Sequence, residues 1–374
     1  MQTTVPAGLK GVEVAETVIG SVRGSEGYFH YRGFNATELA RKNSLEEVWH
    51  LLLEGHLPNA DELATFNRQI AEGIDADADL AGVIEVVAST DAAPHAALTS
   101  LVPLLGSFAP TVDIDAAQRR ADVVRVAVAV PGLLAAVHRR RSAMQPLASD
   151  PSLGYAANWL YRTTGNRPTP EQARAVEQYL IATIDHGFNN STFATRVITS
   201  SGADVAAAIV GGVGALSGPL HGGAPRRAMD MIEEIGDPAN TEAWVERRLA
   251  DGGKIMGFGH AVYRADDPRS TLLRETAQSF VGRHPDSELV ERALDIEPRI
   301  LTVLRSHKPE ATIVTNVEYY ASLVLRLAGL SPDLFTPTFT VSRVLGWTAH
   351  ILEQAANNKI IRPSAAYVGP DPAR

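Results

Sequence analysis

No cysteine occurs among the 374 residues. Disulfides, thiolate metal sites and a cysteine nucleophile are thereby excluded together, and the absence agrees with a reducing cytoplasm, the compartment we expect. Positive charge is also in short supply. Lys and Arg number 34 against 43 Asp and Glu, a formal net charge of −9, so a broad basic face for nucleic acid is not expected. Signal-like apolar character is missing from the start, where Lys10, Glu13 and Glu16 interrupt the first residues. The uncharged run Val126 to Val137 is too short to cross about 30 Å of hydrocarbon and contains Pro131-Gly132. Val205 to Leu220 is broken by Gly211, Gly212, Gly214, Gly218 and Pro219, so no membrane span is expected there either. Gly212-Val213-Gly214 and Gly257-Phe258-Gly259 each open a dinucleotide fingerprint but lack the third glycine and a preceding strand. There is no Walker loop, paired-histidine zinc helix or serine elbow.

What the chain does have is ordinary globular composition, 45% hydrophobic and 21% charged, and enough length for two or three domains. Helix punctuation dominates. Ser44-Leu45-Glu46-Glu47 is a capping box, followed by a stripe of Leu45, Val48, Trp49, Leu52 and Leu53 that ends at Gly55 and Pro58. Thr169-Pro170-Glu171-Gln172 starts a second helix, and a third begins near Pro225 and ends at Gly236. His138 to Arg141 reads as a basic helix end. Ser142 to Gly154 reads as a surface loop. Strand patterns are confined to Thr17-Val18-Ile19 and Tyr28-Phe29, a small hairpin. The fold class expected is mainly α, in two domains.

Three of the eleven histidines stand at helix edges or glycine turns, where backbone can approach a ligand. They are His186 in Asp185-His186-Gly187, His221 in Leu220-His221-Gly222-Gly223-Ala224, and His260 after Gly257-Phe258-Gly259. The other eight, His50, His56, His307 and His350 among them, read as surface or structurally satisfied groups. Arg269, Arg343 and Arg362 would suit a small dicarboxylate if they converged, because the guanidinium fork binds carboxylates bidentately. Glu318, flanked by Val317 and Tyr319, would be a raised-pKa base if buried and a plain helix glutamate if exposed. No aspartate lies beside it in the sequence.

These motifs, in this order, resemble the citrate synthase family. The likeness covers about Gly8 to Leu63 and Asp185 to Gly369, and is carried by LHGGA, GFGHAVYRADDPR, IRPSAAYVG and the opening GYFHYRGFNATELA. Residues 70 to 165 carry little that matches. The resemblance implies a multi-helical two-domain fold with a small N-terminal β-hairpin. Residues 1–221 and 321–374 would form the large domain and dimer interface, and 222–320 the small domain. It implies condensation of acetyl-CoA with oxaloacetate, followed by hydrolysis to citrate and CoA. No metal or other cofactor is implied. His221, His260 and Glu318 match the catalytic positions. His186, Asn190, His260, Arg269, Arg343 and Arg362 match the oxaloacetate set, with Arg362 supplied to the partner subunit of a homodimer. Lys254, Ile255, Met256, Gly257, Gly259, Arg264 and Asn316 match the coenzyme A contacts. Glu318 departs from the family's usual aspartate, as a bacterial branch of the family does. Neither nucleic acid nor membrane is an expected partner. The long N-terminal extension of the NADH-inhibited hexameric branch has no counterpart, so a simple dimer is expected. The alternatives are 2-methylcitrate synthase, acting on propionyl-CoA, and a catalytically silent paralogue with a regulatory or assembly role.

Overall fold

A computed structural model describes residues 5–9, 11–218, 221, 224–259, 263–357 and 359–370, without the side chains of 224 and 225. It begins with a three-stranded antiparallel sheet of β1 (Gly20–Arg23), β2 (Tyr28–Tyr31) and β3 (Phe34–Asn35), in the order β1-β2-β3. The expected hairpin is there with one more strand, and its first strand starts at Gly20, just after the Thr17–Ile19 run. Ile19 is fully buried in the core, so that run serves as an anchor to the helices.

Among the described residues the regular elements after the sheet are helices, apart from an isolated antiparallel bridge between Phe258 and Thr315. In chain order come α1 (Ala36–Lys42), α2 (Leu45–Glu54), α3 (Ala60–Gly73), α4 (Ala81–Ala88) and α5 (Pro94–Leu101). Then follow α6 (Ala116–Arg141), α7 (Tyr155–Thr164), α8 (Pro170–Thr183), α9 (Asn190–Ser200) and α10 (Val205–Leu216). The last are α11 (Ala224–Ile235), α12 (Thr241–Ala250), α13 (Pro268–Gln278), α14 (Ser287–His307), α15 (Val317–Leu327) and α16 (Phe335–Asn357). The punctuation works as read. Ser44 Oγ accepts from Glu47 N–H at 3.2 Å while Glu47 Oε2 accepts from Ser44 N–H at 2.7 Å. Thr169 and Gln172 repeat the device at α8.

The core is organised around α16, which is buried along most of its length. Two tryptophans hang on it by their indole N–H groups: Trp49 donates to Thr348 Oγ1 at 3.0 Å and Trp159 to Thr338 Oγ1 at 3.2 Å. Each large buried ring contributes about 1.5–3 kcal/mol from area alone. Gly346 lets α16 press directly on the end of α8; a Cβ there would stand 2.0 Å from the Ile184 carbonyl oxygen. This close approach fixes the height of Arg343, one turn earlier.

The run Val126 to Val137 belongs to a longer helix than its composition suggested. α6 is 26 residues, and among the described residues it is the one helix long and apolar enough to cross a membrane. Yet 83% of its apolar window is buried inside the protein, which is the pattern of a core helix.

On the opposite side, α13 and α11 pack against α15, and α12 against α14. This group meets the rest of the molecule where α15 and α13 touch α8 and α11 touches α16. The expected boundary at 320/321 falls inside α15.

Candidate active site

A cavity of about 280 Å³ opens where these two groups of helices face each other. Its floor comes from α8 and α16. The last carbonyls of α8 lack helical partners, and α16 supplies donors: Ser342 Oγ donates to Leu180 O at 2.7 Å and Arg343 Nε to Thr183 O at 2.9 Å. A cation at a helix C-terminus is electrostatically favoured. Arg343 is buried, stacks over Phe339 at 4.7 Å, and forms no ion pair with a carboxylate among the described residues. Burial pulls its pKa down from the usual arginine value.

Arg269 enters from α13. Asp267 caps this helix and grips Arg269 with both oxygens, at 3.0 Å to Nε and 2.8 Å to Nη2. Asp267 also accepts Val317 N–H at 3.1 Å, which ties the start of α15 to the start of α13. Losing one partner of such a buried pair costs about 3–5 kcal/mol.

Glu318 stands in the first turn of α15 and lines the cavity, half-buried. Asn316 caps the helix by accepting Glu318 N–H at 3.0 Å. Burial pushes the Glu318 carboxyl up, Arg269 and Arg343 pull it down, Asp267 pushes it up again, and the balance is about 7. An aspartate is therefore near in space although none is near in sequence. Asp267 is fully buried and bound to Arg269 and Val317, so it is not available as a base.

His221 lines the same cavity, with Nε2 2.9 Å from Ser191 Oγ. Burial, then the charge of Arg343, lowers its pKa to about 4, so the ring is neutral near pH 7. His186 completes the wall, with Nε2 3.1 Å from the Tyr263 hydroxyl. Beneath it Asp185 is buried and paired to His350 Nε2 at 3.0 Å. Arg196, which can only donate, meets His350 Nδ1 at 3.2 Å, so Nε2 carries the proton given to Asp185. Burial raises the Asp185 pKa, but His350, Arg343 and the Gly187 N–H outweigh it and hold the carboxyl below its usual range.

A second, larger groove of about 940 Å³ adjoins the first through Asn316, which lines both. Lys254, Ile255, Met256, Gly257, Gly259 and Arg264 all line it. The glycine turn is stitched to the segment before α15. Gly259 N–H donates to Val314 O at 2.8 Å, Asn316 N–H to Gly257 O at 2.9 Å, and Asn316 Nδ2 to Gly259 O at 2.8 Å.

Of the residues singled out in the sequence, His186, His221, Arg269, Arg343 and Glu318 meet in one cavity. His260 lies outside the described residues. Asn190 is the exposed first residue of α9, and it is Asn189, the cap of that helix, that lines the cavity. Arg362 is exposed in the segment 359–370, whose start is held by Ile361 N–H donating to Ser200 Oγ at 2.9 Å. Sequence reasoning gave no role to Asp185, Asp267 and Ser191, although the first two stand inside quoted motifs, and read His350 only as a structurally satisfied group; all four hold or touch the site residues. Asp267 had one available signal, its place as a helix cap before Pro268 and Arg269.

A small cavity holding a buried arginine and a carboxylate that titrates near 7 thus opens into a larger groove that a glycine turn lines in part. Comparison with known proteins gives the family. The model of the family "Citrate synthase, C-terminal domain" matches residues 8–364. Citrate synthase 2 of Bacillus subtilis is 36% identical over 371 residues, covering 98% of this chain and 97% of its own. 2-Methylcitrate synthase of Mycobacterium tuberculosis is 38% identical over 366 residues, covering 98% and 91%. The crystal structure of Thermotoga maritima citrate synthase superposes with a TM-score of 0.84 at 34% identity, over 97% and 96% of the two chains. The ternary complex of Thermoplasma acidophilum citrate synthase with carboxymethyl coenzyme A and oxaloacetate superposes with 0.86 at 28% identity, over 98% and 97%. The chain belongs to the citrate synthase family and is a condensing enzyme of its acyltransferase type. The match runs through residues 70 to 165, which the motif reading left blank.

Proposed function

We propose that the protein is a citrate synthase, condensing acetyl-CoA with oxaloacetate and water to give citrate and CoA. The observation that carries this reading is the pairing, in one cavity, of a buried arginine with no carboxylate partner among the described residues, Arg343, and a carboxylate with a pKa of about 7, Glu318. The first suits a dicarboxylate; the second suits a base that works at neutral pH.

In this reading oxaloacetate is held by Arg269, Arg343 and His186, with His260 at its ketone oxygen and Asn190 at the margin. Acyl-CoA lies along Lys254–Met256, Gly257, Gly259, Arg264 and Asn316. Glu318 removes a methyl proton from the thioester, and the resulting enol or enolate oxygen accepts a hydrogen bond from neutral His221. Ser191 governs that donor. Its single proton now goes to Asn189 Oδ1 at 2.8 Å, which makes His221 Nε2–H the donor to Ser191. If Ser191 turns its proton to Nε2, the other ring nitrogen keeps its N–H for the thioester oxygen. The nucleophilic carbon then attacks the ketone carbon of oxaloacetate as His260 protonates the ketone oxygen. Water cleaves the citryl thioester, releasing citrate and CoA thiol.

Two further parts of the reading concern assembly. Residues 222–320 form the small domain, closing on the large one across the cavity. Two copies pair, and the exposed Arg362 of each completes the other's site.

Propionyl-CoA is the second candidate acyl donor, favoured by the Mycobacterium tuberculosis relative. One methylene is worth only about 1–3 kcal/mol in an apolar pocket, so both thioesters are worth assaying. Thiol release from each, with and without oxaloacetate, tests the reading, and a chain without cysteine gives no thiol background. Oxaloacetate-dependent release, faster with acetyl-CoA, is expected. Faster release with propionyl-CoA would make it a 2-methylcitrate synthase. Oxaloacetate-independent release would point to a thioesterase, and no release to a silent paralogue.

A further inference from the structure

Far from the motifs, two histidines and a glutamate converge where α2 hands over to α3. His50 is buried on α2, His56 is exposed in the connecting turn, and Glu62 stands in the first turn of α3. One possible ligand atom from each lies within 4.8 Å of the other two. None of the three lines the cavity or the groove described above.

Each group is oriented by a second contact. His50 Nδ1 lies 3.2 Å from the carbonyl oxygen of His56. A proton on Nδ1 given to that carbonyl leaves Nε2 as the lone-pair nitrogen, the way metal-binding imidazoles are commonly held. Phe66 packs edge-on to the His50 ring at 5.7 Å and limits its rotation. Glu62 Oε2 accepts Asn59 N–H at 2.8 Å in the capping box of α3. Oε1 is thereby turned to His56 Nε2, 3.3 Å away. Around a tetrahedral ion with bonds of about 2.0–2.1 Å, neighbouring ligand atoms stand roughly 3.4 Å apart, so that pair is already spaced for a shared ion. A surface ion pair would account for His56 and Glu62 alone and would contribute little.

We propose that His50, His56 and Glu62 form a binding site for a first-row divalent transition ion of the zinc type. Two imidazoles select such ions over magnesium and calcium. The ion joins the buried face of α2 to the start of α3, with its remaining position open to solvent beside exposed His56. Its role is structural, since the condensing site lies elsewhere.

The full-length protein, freed of metal with a chelator and dialysed, is titrated with zinc chloride by calorimetry and followed by thermal melting. One zinc per chain and a zinc-dependent rise in Tm are expected, with no response to magnesium. Two variants localise the site. His56→Ala changes an exposed side chain. Glu62→Gln keeps the capping box, because glutamine also serves at that position, while removing the anionic ligand. Each is expected to weaken zinc binding by about tenfold or more and to abolish the zinc-dependent rise in Tm. His56→Ala should leave metal-free melting unchanged. Absence of saturable binding at one ion per chain, or undiminished binding in both variants, would overturn the assignment.

Discussion

The two adjoining compartments are built by different means. The small cavity carries the charged groups of Arg269, Arg343 and Glu318, and its two arginines are held from behind, Arg343 by the end of α8 and Arg269 by Asp267. The large groove combines a glycine turn around Gly257 and Gly259 with apolar walls from Leu249, Ile255, Met256 and Leu304, and Lys254, Arg264 and Lys308 beside them. Fixed charges select a small anion by its charge and geometry. A glycine turn admits a long ligand by leaving room for it. If this contrast is right, substitutions in the cavity should act on the chemistry and on the small acid, and substitutions in the groove on the thioester.

The sharpest test is Glu318→Gln, which keeps size and removes the basic oxygen. The rate should fall by about 10²–10⁴ with little change in either KM. Because the native carboxyl titrates near 7, the wild-type rate should climb with pH up to about 7 and level off above it. The same shift bears on stability. A pKa raised above its unfolded value of 4.5 means that the native state keeps a proton the unfolded chain gives up. Stability from this group is present at low pH and is lost as pH rises through about 7. Glu318→Gln should therefore melt higher than wild type at pH 8 and alike at pH 4. A flat rate profile from pH 6 to 8, or near-wild-type turnover in the variant, would remove Glu318 as the base.

Arg343→Ala should come next. Truncating one side of a buried charge-assisted contact costs about 2–5 kcal/mol, so the oxaloacetate KM should rise by about 10²-fold or more. The acyl-CoA KM should hardly move. Steady-state kinetics with each substrate varied in turn separates the two, and an equal rise in both would break the contrast between compartments.

Much of this was legible in the sequence, for physical reasons. Capping boxes at Ser44 and Thr169 are local, so three or four residues declare them. His221, Arg269 and Glu318 sit in glycine, proline and cap contexts that also leave a local mark. Less visible were groups that act across long sequence distances. His350 is 165 residues from Asp185, and nothing near it in the chain announces the pairing. Glu318, on its local context alone, read more readily as an exposed helix glutamate; it is the gathering of Arg269, Asp267 and Arg343 around it that sets its state. Residues 70 to 165 were silent because the buried ones among them pack rather than react. In α6 the apolar run carries no period, since the helix is buried on nearly all sides.

The mildest expected effect lies in the groove, and it tests whether the two compartments are separate at all. Gly257 and Gly252 both line the groove with positive φ, at 83° and 72°. Alanine at either position carries the backbone strain of that conformation, about 1 kcal/mol. Only Gly257 adds a collision, since its Cβ would lie 3.0 Å from Cβ of Tyr319, the residue after Glu318. At Gly252 the added Cβ meets nothing within 4 Å. Gly252→Ala is thus the control for strain. Gly257→Ala should raise the acyl-CoA KM by about tenfold, leave the oxaloacetate KM alone, and exceed the effect of Gly252→Ala. The informative quantity is kcat. Gly257 O accepts from Asn316, and Asn316 caps the helix that carries Glu318. A displaced turn can therefore pull the base with it, and about 1 Å of misplacement is enough to slow proton transfer. A fall in kcat confined to Gly257→Ala would mean that seating the thioester also sets the base. Unchanged kcat in both variants would mean that the groove only binds.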